Sequence, residues 1–210
     1  MDAGYFDQEA GAWDLKAMRV ILAQGVARAI QDRVPLSKAM DVLDFGCGTG
    51  LVTLALGPLV GTITGADTSP GMLKVLSEKA GAAGVPVTLR ALDGGAGLAL
   101  GGPYHLIVSS MTLHHVADVP GLFHQFAAHL LPGGQVALAD LDAEDGSFHD
   151  GIPGVEHHGF RREQVRAWLE SAGFREIRLE TAIVTRKGEK DYPVFLATGK
   201  RVQEDIGTIP

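Results

Sequence analysis

The residues with the clearest chemical potential lie between positions 42 and 94. Val42-Leu43-Asp44-Phe45-Gly46-Cys47-Gly48-Thr49-Gly50 is an apolar run that ends in a glycine-rich loop. Glycines there allow a sharp backbone turn and let a ligand lie against bare main chain. A loop for pyrophosphate uses the spacing G-x-G-x-x-G at a helix N-terminus. Here the spacing is G-x-G-x-G, and Leu51 stands where the pyrophosphate pattern needs its third glycine. Asp44 sits at the loop entrance, where a carboxylate repels a pyrophosphate and suits a cationic or amine-bearing ligand. Asp67 ends a second apolar run, where an acid in a doubly wound fold accepts from ribose hydroxyls. Asp93 follows a third run, placed to accept from an exocyclic adenine amine. Together the three acids describe a nucleoside with an attached ammonium group. Cys47 reads as a small filler between glycines, with no Lys or Arg beside it to activate a thiolate.

The elements that must position these residues follow from periodicity and turn chemistry. An amphipathic helix is expected over 14–31, with Leu15, Met18, Ile21, Leu22, Val26 and Ile30 on its apolar face. Strands are expected at 42–45, 61–66, 85–89, 104–110 and 135–141. Helices are expected at 51–56, at 70–82 behind the cap Ser69-Pro70, and at 118–130 behind Asp118. Residues 142–160 form a long polar loop, and 161–172 form a helix that Gly173 ends. Strands at 174–185 and 193–198 close the chain as an antiparallel hairpin around the turn 186–191. This alternation implies an α/β fold with a mostly parallel sheet and helices on both faces. No internal repeat or linker is visible, so one domain over 1–210 is expected.

Composition narrows the setting. The chain has 210 residues, 46% hydrophobic and 20% charged, which suits a folded domain with a core of its own. The formal net charge of -7 disfavours a nucleic-acid partner. A single cysteine cannot form an internal disulfide, which favours a reducing, cytoplasmic setting. The acidic first residues do not read as a signal peptide, and no run approaches a membrane span. Oligomeric state is not legible.

Val42 to Gly50 resembles the first motif of the class I S-adenosylmethionine-dependent methyltransferases. Gly65-Ala66-Asp67-Thr68-Ser69-Pro70-Gly71-Met72 looks like their second motif and Leu92-Asp93-Gly94 like their third. Tyr104 to Val116 resembles their fourth, and Leu130-Leu131-Pro132-Gly133-Gly134 the turn before their fifth strand. The similarity covers roughly residues 40 to 140 and points to the small-molecule, quinone-biosynthesis-like branch. One departure is His105, where the family usually has an acid. The resemblance implies a Rossmann-like seven-stranded sheet and S-adenosylmethionine as cofactor. It also implies roles: Gly46, Cys47, Gly48 and Gly50 along the amino-acid part of the cofactor, and Asp44 near its amine. Asp67 would hold the ribose, Thr68 or Met72 would border the adenine, and Asp93 with Gly94 would meet the adenine amine. Main chain at Ser109 and Ser110 would contact the methionyl amine.

Methyl transfer from a sulfonium is an in-line displacement that needs positioning and exclusion of water rather than a metal. A general base helps when the acceptor must lose a proton. His115 and His158 are the candidate bases, with His114 and His157 beside them on the acceptor side. Bracing of the loop is the competing role for His115, and a surface role for His158. The four histidines match no zinc spacing. Tyr5, Phe6 and Trp13 read as a lid over the cofactor that could contact the sulfonium through cation–π attraction, or as simple docking of the N-terminal helix. The expected function is methyl transfer to a small-molecule acceptor at O, N, C or S. Competing readings are a binder of S-adenosylmethionine or S-adenosylhomocysteine without catalysis, a nicotinamide oxidoreductase, and an RNA methyltransferase.

Overall fold

A computed structural model describes residues 3–93, 98–149 and 151–202. Seven strands form one sheet in the order β3-β2-β1-β4-β5-β7-β6. They are β1 (Asp41–Phe45), β2 (Thr62–Asp67), β3 (Thr88–Ala91), β4 (Tyr104–Ser110), β5 (Leu130–Leu141), β6 (Phe174–Lys187) and β7 (Lys190–Arg201). The first five run parallel, and β7 is antiparallel to both β5 and β6. The expected α/β class and the terminal hairpin are therefore present.

Strand alternation feeds two cores, one on each face. Leu43, Phe45, Ile107 and Leu138 point toward α5 (Val119–His129) and α6 (Arg162–Ser171), where Phe123, Phe126, Val165 and Leu169 cover them. Val42, Leu106, Val108 and Ala139 point toward α2 (Ala17–Arg33) and α3 (Leu51–Leu56). Asp44 shares the parity of Val42, so its carboxylate emerges on the α2–α3 side.

The N-terminal helix differs from expectation. The chain begins with α1 (Ala3–Glu9) and a 3₁₀ turn (Ala10–Leu15) before α2. Two apolar stripes compete in this sequence. The stripe Leu22, Val26 and Ile30, with Ala23 and Ala27 beside it, is the buried one. Leu15 is 83% exposed and Ile21 59%. Burying Leu22, Val26 and Ile30 stabilises by roughly 1.5–3 kcal/mol each, which outweighs the ~1 kcal/mol cost of Gly25 within the helix. Gly25 is there because α2 lies against β6, where a Cβ would strike the Ile183 side chain.

Smaller differences have local causes. β3 begins at Thr88, because Val85 still bonds back to Ala80 past the left-handed Gly84 that ends α4 (Pro70–Ala83). The anticipated turn at 130–134 lies within β5 as an irregularity: Tyr104 pairs with Leu130, but Leu106 pairs with Gln135. The hairpin turn contracts to Gly188-Glu189, with Gly188 at φ 64. His105, the departure from the family pattern, accepts from the Asp41 N–H through Nδ1 at 3.0 Å and so serves the start of β1.

Candidate active site

The central neighbours β1 and β4 are where the strand order reverses. Connections leave β1 toward β2 and β4 toward β5, opening a crevice at the carboxyl ends of the strands. A cavity of about 320 Å³ occupies it, within the size of small-molecule sites.

The glycine loop forms its floor. Gly46 and Cys47 donate their N–H groups to the Ala66 carbonyl at 2.8 and 3.1 Å, which ties the loop to the end of β2. Gly48 donates to Asp67 Oδ2 at 2.8 Å, and Ser69 donates to Asp67 Oδ1 at 2.9 Å. A Cβ on Gly48, whose φ is 51, would enter open space at the cavity wall. Gly50 acts differently. It does not line the cavity, its φ is 82, and a Cβ would land on Leu76 of α4. It is the left-handed residue that starts α3.

Asp44 is fully buried, and its Oδ2 accepts from Thr53 Oγ1 at 2.6 Å. Burial, with Asp67 nearby, pushes it up to about 7 against the Thr53 hydrogen bond. Burial also raises Asp67, against the hydrogen bonds from Ser69 and Gly48. Two desolvated carboxylates on one wall ask for a ligand with cationic and hydroxyl groups. Ser110 adds a buried Oγ with no hydrogen-bond partner. Thr68 and Met72 complete this wall. Met111, just past β4, lines the cavity with φ 55, a conformation that costs a residue with a side chain about 1–3 kcal/mol.

The N-terminal segment lies across the opening on two acidic anchors. Asp7 Oδ1 accepts from Ser69 Oγ at 2.5 Å and Gly71 N at 2.8 Å. Asp14 accepts from Thr49 Oγ1 and from Lys79 Nζ, each at 2.6 Å. These anchors hold Phe6 edge-on to His115, at 5.1 Å between centroids, and Trp13 under the Arg19 guanidinium at 3.4 Å. Phe6, Trp13 and Arg19 all line the cavity.

The opposite wall is made of imidazoles. His114 donates through Nδ1 to the Asp140 carboxylate, Oδ1 at 2.8 Å, and its backbone N–H donates to Asp140 Oδ2 at 3.2 Å. Burial pushes the Asp140 carboxyl up, but the His114 contacts and the Leu141 N–H outweigh it and hold it below the usual carboxylate range. His115 Nδ1 meets the Gly154 carbonyl at 2.7 Å. His149 stacks on His114 at 4.2 Å between centroids, with both ring nitrogens buried and without hydrogen-bond partners. Burial, then the neighbouring His114, lowers His115 to about 4 and His149 to about 3.

Several expected site residues stand elsewhere. His158 does not line the cavity; its side chain is 60% exposed, with Nδ1 3.8 Å from Glu144 Oε1. His157 is also outside, its Nε2 on the Val116 carbonyl at 3.0 Å and its ring on Phe160. The loop explains both. Its ends pair with each other, Ala143 N–H to Phe160 O and Glu144 N–H to His158 O, so 157 and 158 lie in the stem while 148 and 149 reach inward. His149 is the functional candidate the histidine reasoning missed. Tyr5 packs on Phe6 and toward Arg19 rather than lining the cavity. Ser109, expected to act through its main chain, is buried and outside the cavity lining, and its hydroxyl donates to the Phe45 carbonyl at 2.9 Å. Asp93 is exposed and off the cavity wall, and Gly94 lies outside the described residues. Cys47 lines the floor as a buried thiol that burial raises well above its ordinary value, consistent with a filler.

A family model for a methyltransferase domain matches residues 16–179. The chain belongs to that family. It is a methyltransferase domain of the S-adenosylmethionine-dependent class I fold, as the glycine loop and the sheet order indicate. Among curated relatives, an uncharacterized methyltransferase of Schizosaccharomyces pombe is 32% identical over 135 residues, covering 57% of this chain and 48% of that one. A ubiquinone biosynthesis O-methyltransferase of Methylobacterium nodulans is 32% identical over 120 residues, with the same coverage of 57% and 48%. The chain thus spans about half the length of the curated relatives it matches. Among solved structures, a chain from the complex between the Haloferax volcanii Trm112 methyltransferase activator and a methyltransferase superposes with TM-score 0.75 at 18% identity. It covers 94% of this chain and 97% of that one. No helix among the described residues is long and apolar enough to cross a membrane.

Proposed function

We propose that this methyltransferase transfers a methyl group from S-adenosylmethionine to an oxygen of a small molecule. The observation that carries the reading is that acid floor, imidazole wall and N-terminal strap border one cavity. A donor on the floor and an acceptor against the imidazoles would share a space that α1 and the 3₁₀ turn cover. The net charge of -7 offers no field for RNA. The choice of oxygen draws on relatives named for O-methylation in ubiquinone and nocamycin biosynthesis.

S-adenosylmethionine, when bound, supplies a methyl already activated on a sulfonium. The protein's part is to bind, orient and exclude water. Asp67 keeps lone pairs on both oxygens for the two ribose hydroxyls while its N–H partners hold it still. Asp44 takes its charge beside the ammonium group. Gly48 leaves its backbone bare for the amino-acid portion, and Ser110 Oγ is free to bond it. Thr68 and Met72 border the base. Trp13 and Phe6 shield the reacting centre from solvent.

Isotope-labelled cofactor supplied with fractionated cell extract tests this. Label is expected in the small-molecule fraction with stoichiometric S-adenosylhomocysteine. Label confined to RNA, or tight S-adenosylhomocysteine binding with no turnover in any fraction, overturns it.

A further inference from the structure

Resting on that reading of the cavity, we propose that His114 Nε2 receives the acceptor's hydroxyl proton. Asp140 is its positioning residue, and His149 is a second hydrogen-bonding group for the acceptor. Three imidazoles reach this wall, and their surroundings differ. His115 has Nδ1 tied to the Gly154 carbonyl and its ring edge covered by Phe6. A carbonyl on Nδ1 fixes a tautomer but offers no carboxylate to balance a second proton. Among the described residues His149 has no hydrogen-bond partner on either nitrogen. His114 alone of the three has a buried carboxylate on Nδ1, at 2.8 Å, with the same carboxylate fixed by two backbone N–H groups. A carboxylate cannot receive a hydrogen bond from an unprotonated nitrogen, so Nδ1 carries a proton, and in the neutral ring Nε2 then keeps the lone pair. Nε2 makes no hydrogen bond among the described residues, and His114, its side chain 1% exposed, is one of the residues that line the cavity.

The titratable groups facing His114 are Asp140 from β5, His115 from its own turn and His149 from the long loop; Lys187 of β6 acts on His149. The low values of His115 and His149 keep both neutral near pH 7, so neither opposes a charge on His114. The step balances simply. The acceptor O–H bond breaks with its proton on Nε2, and the freed oxygen pair forms the O–CH3 bond. The bond from methyl to sulfur breaks with its electron pair left on sulfur. The imidazolium is stabilised by Asp140 until the proton passes to water. His149, with one donor and one acceptor nitrogen unused, hydrogen-bonds the acceptor oxygen or its neighbour on the stacked face.

The test uses the full chain loaded with S-adenosylhomocysteine and labelled with ¹⁵N on its imidazoles. The expected result at neutral pH is His114 as the Nδ1–H tautomer, with that signature lost in Asp140→Asn. His114 as the Nε2–H tautomer overturns the proposal, since that nitrogen could not then accept a proton. In the labelled-extract assay, His114→Gln is expected to lower transfer about 10²–10⁴-fold, while His158→Gln stays within about twofold. Both are expected to keep S-adenosylhomocysteine affinity within about threefold, which also shows that the variants fold. If His114→Gln and His115→Gln lose rate in the opposite order, His115 is the base and the assignment is wrong. Failure of the wild type to bind S-adenosylhomocysteine would instead remove the underlying methyl-transfer reading.

Discussion

Asp44 offers a sharp test of what the cavity floor is built to hold. It has no cation in contact, and burial sets its titration near 7. At pH 6 such a group is about nine-tenths protonated. An ammonium brought alongside favours the carboxylate and returns it toward the ordinary range, so binding at pH 6 should release close to one proton. Log affinity for S-adenosylhomocysteine should then rise by about one per pH unit between pH 5 and 7 and level off above. His115 and His149 titrate well below this window and add little. The assay is calorimetry at pH 6 in two buffers of very different ionisation enthalpy, with Asp44→Asn as the control that removes the linkage. Stability of the ligand-free protein carries the opposite sign. The folded state holds the extra proton, so this contribution is fully present below pH 4 and is lost as pH rises through about 7. Identical enthalpies in both buffers, together with an affinity flat in pH, would refute the placement of an ammonium at Asp44.

Other consequences are quicker to state. Asp67→Ala removes an acceptor serving the ligand and two N–H groups; at about 1.5–3 kcal/mol for each charged hydrogen bond, S-adenosylhomocysteine affinity by calorimetry should fall at least about 100-fold. Gly50→Ala imposes a left-handed residue and a collision with Leu76, costing roughly 2–4 kcal/mol; its melting temperature should drop, and Leu76→Ala should restore only part of the loss. Trp13→Ala removes the ring under Arg19, worth about 0.5–2 kcal/mol, and should raise the acceptor KM up to about tenfold with a smaller effect on cofactor affinity.

The cofactor half of the site was legible because its information is local. Val42 to Gly50 states a strand, a turn and a helix start within one contiguous stretch. Asp67 follows at a strand end where side-chain direction is set by alternation. Gly50 has a packing role that spacing cannot show: its missing Cβ faces Leu76, 26 positions later and on another helix. Asp93 follows β3 as its sequence position suggests, but it is exposed and outside the cavity lining, which position along a strand does not reveal. Leu15, Met18 and Ile21 recur every three residues and Leu22, Val26 and Ile30 every four, and both spacings fit a 3.6-residue template. Periodicity locates a face but does not say which of two faces meets the sheet.

The acceptor wall was hidden because no segment contains it. His114 is oriented by Asp140, 26 residues away and at the end of the next strand. His149 is one of three histidines in a polar loop, and only tertiary contacts bring it rather than His157 or His158 to the cavity. Arg162 holds Asp142 through two hydrogen bonds of 2.7 Å at the loop's base. Lys187, at the tip of β6, donates to the Ser147 and Phe148 carbonyls at 3.0 and 2.9 Å. The C-terminal hairpin therefore does more than close the sheet. Its lysine fixes the main chain next to His149, and Tyr192 of β7 packs on Phe148 at 5.0 Å between centroids. A change at Lys187 or Tyr192 would thus act on the acceptor through His149 while leaving Asp44, Asp67 and the glycine loop untouched. The sheet's parallel half would set how the donor is held, and its antiparallel edge would set how the acceptor is met.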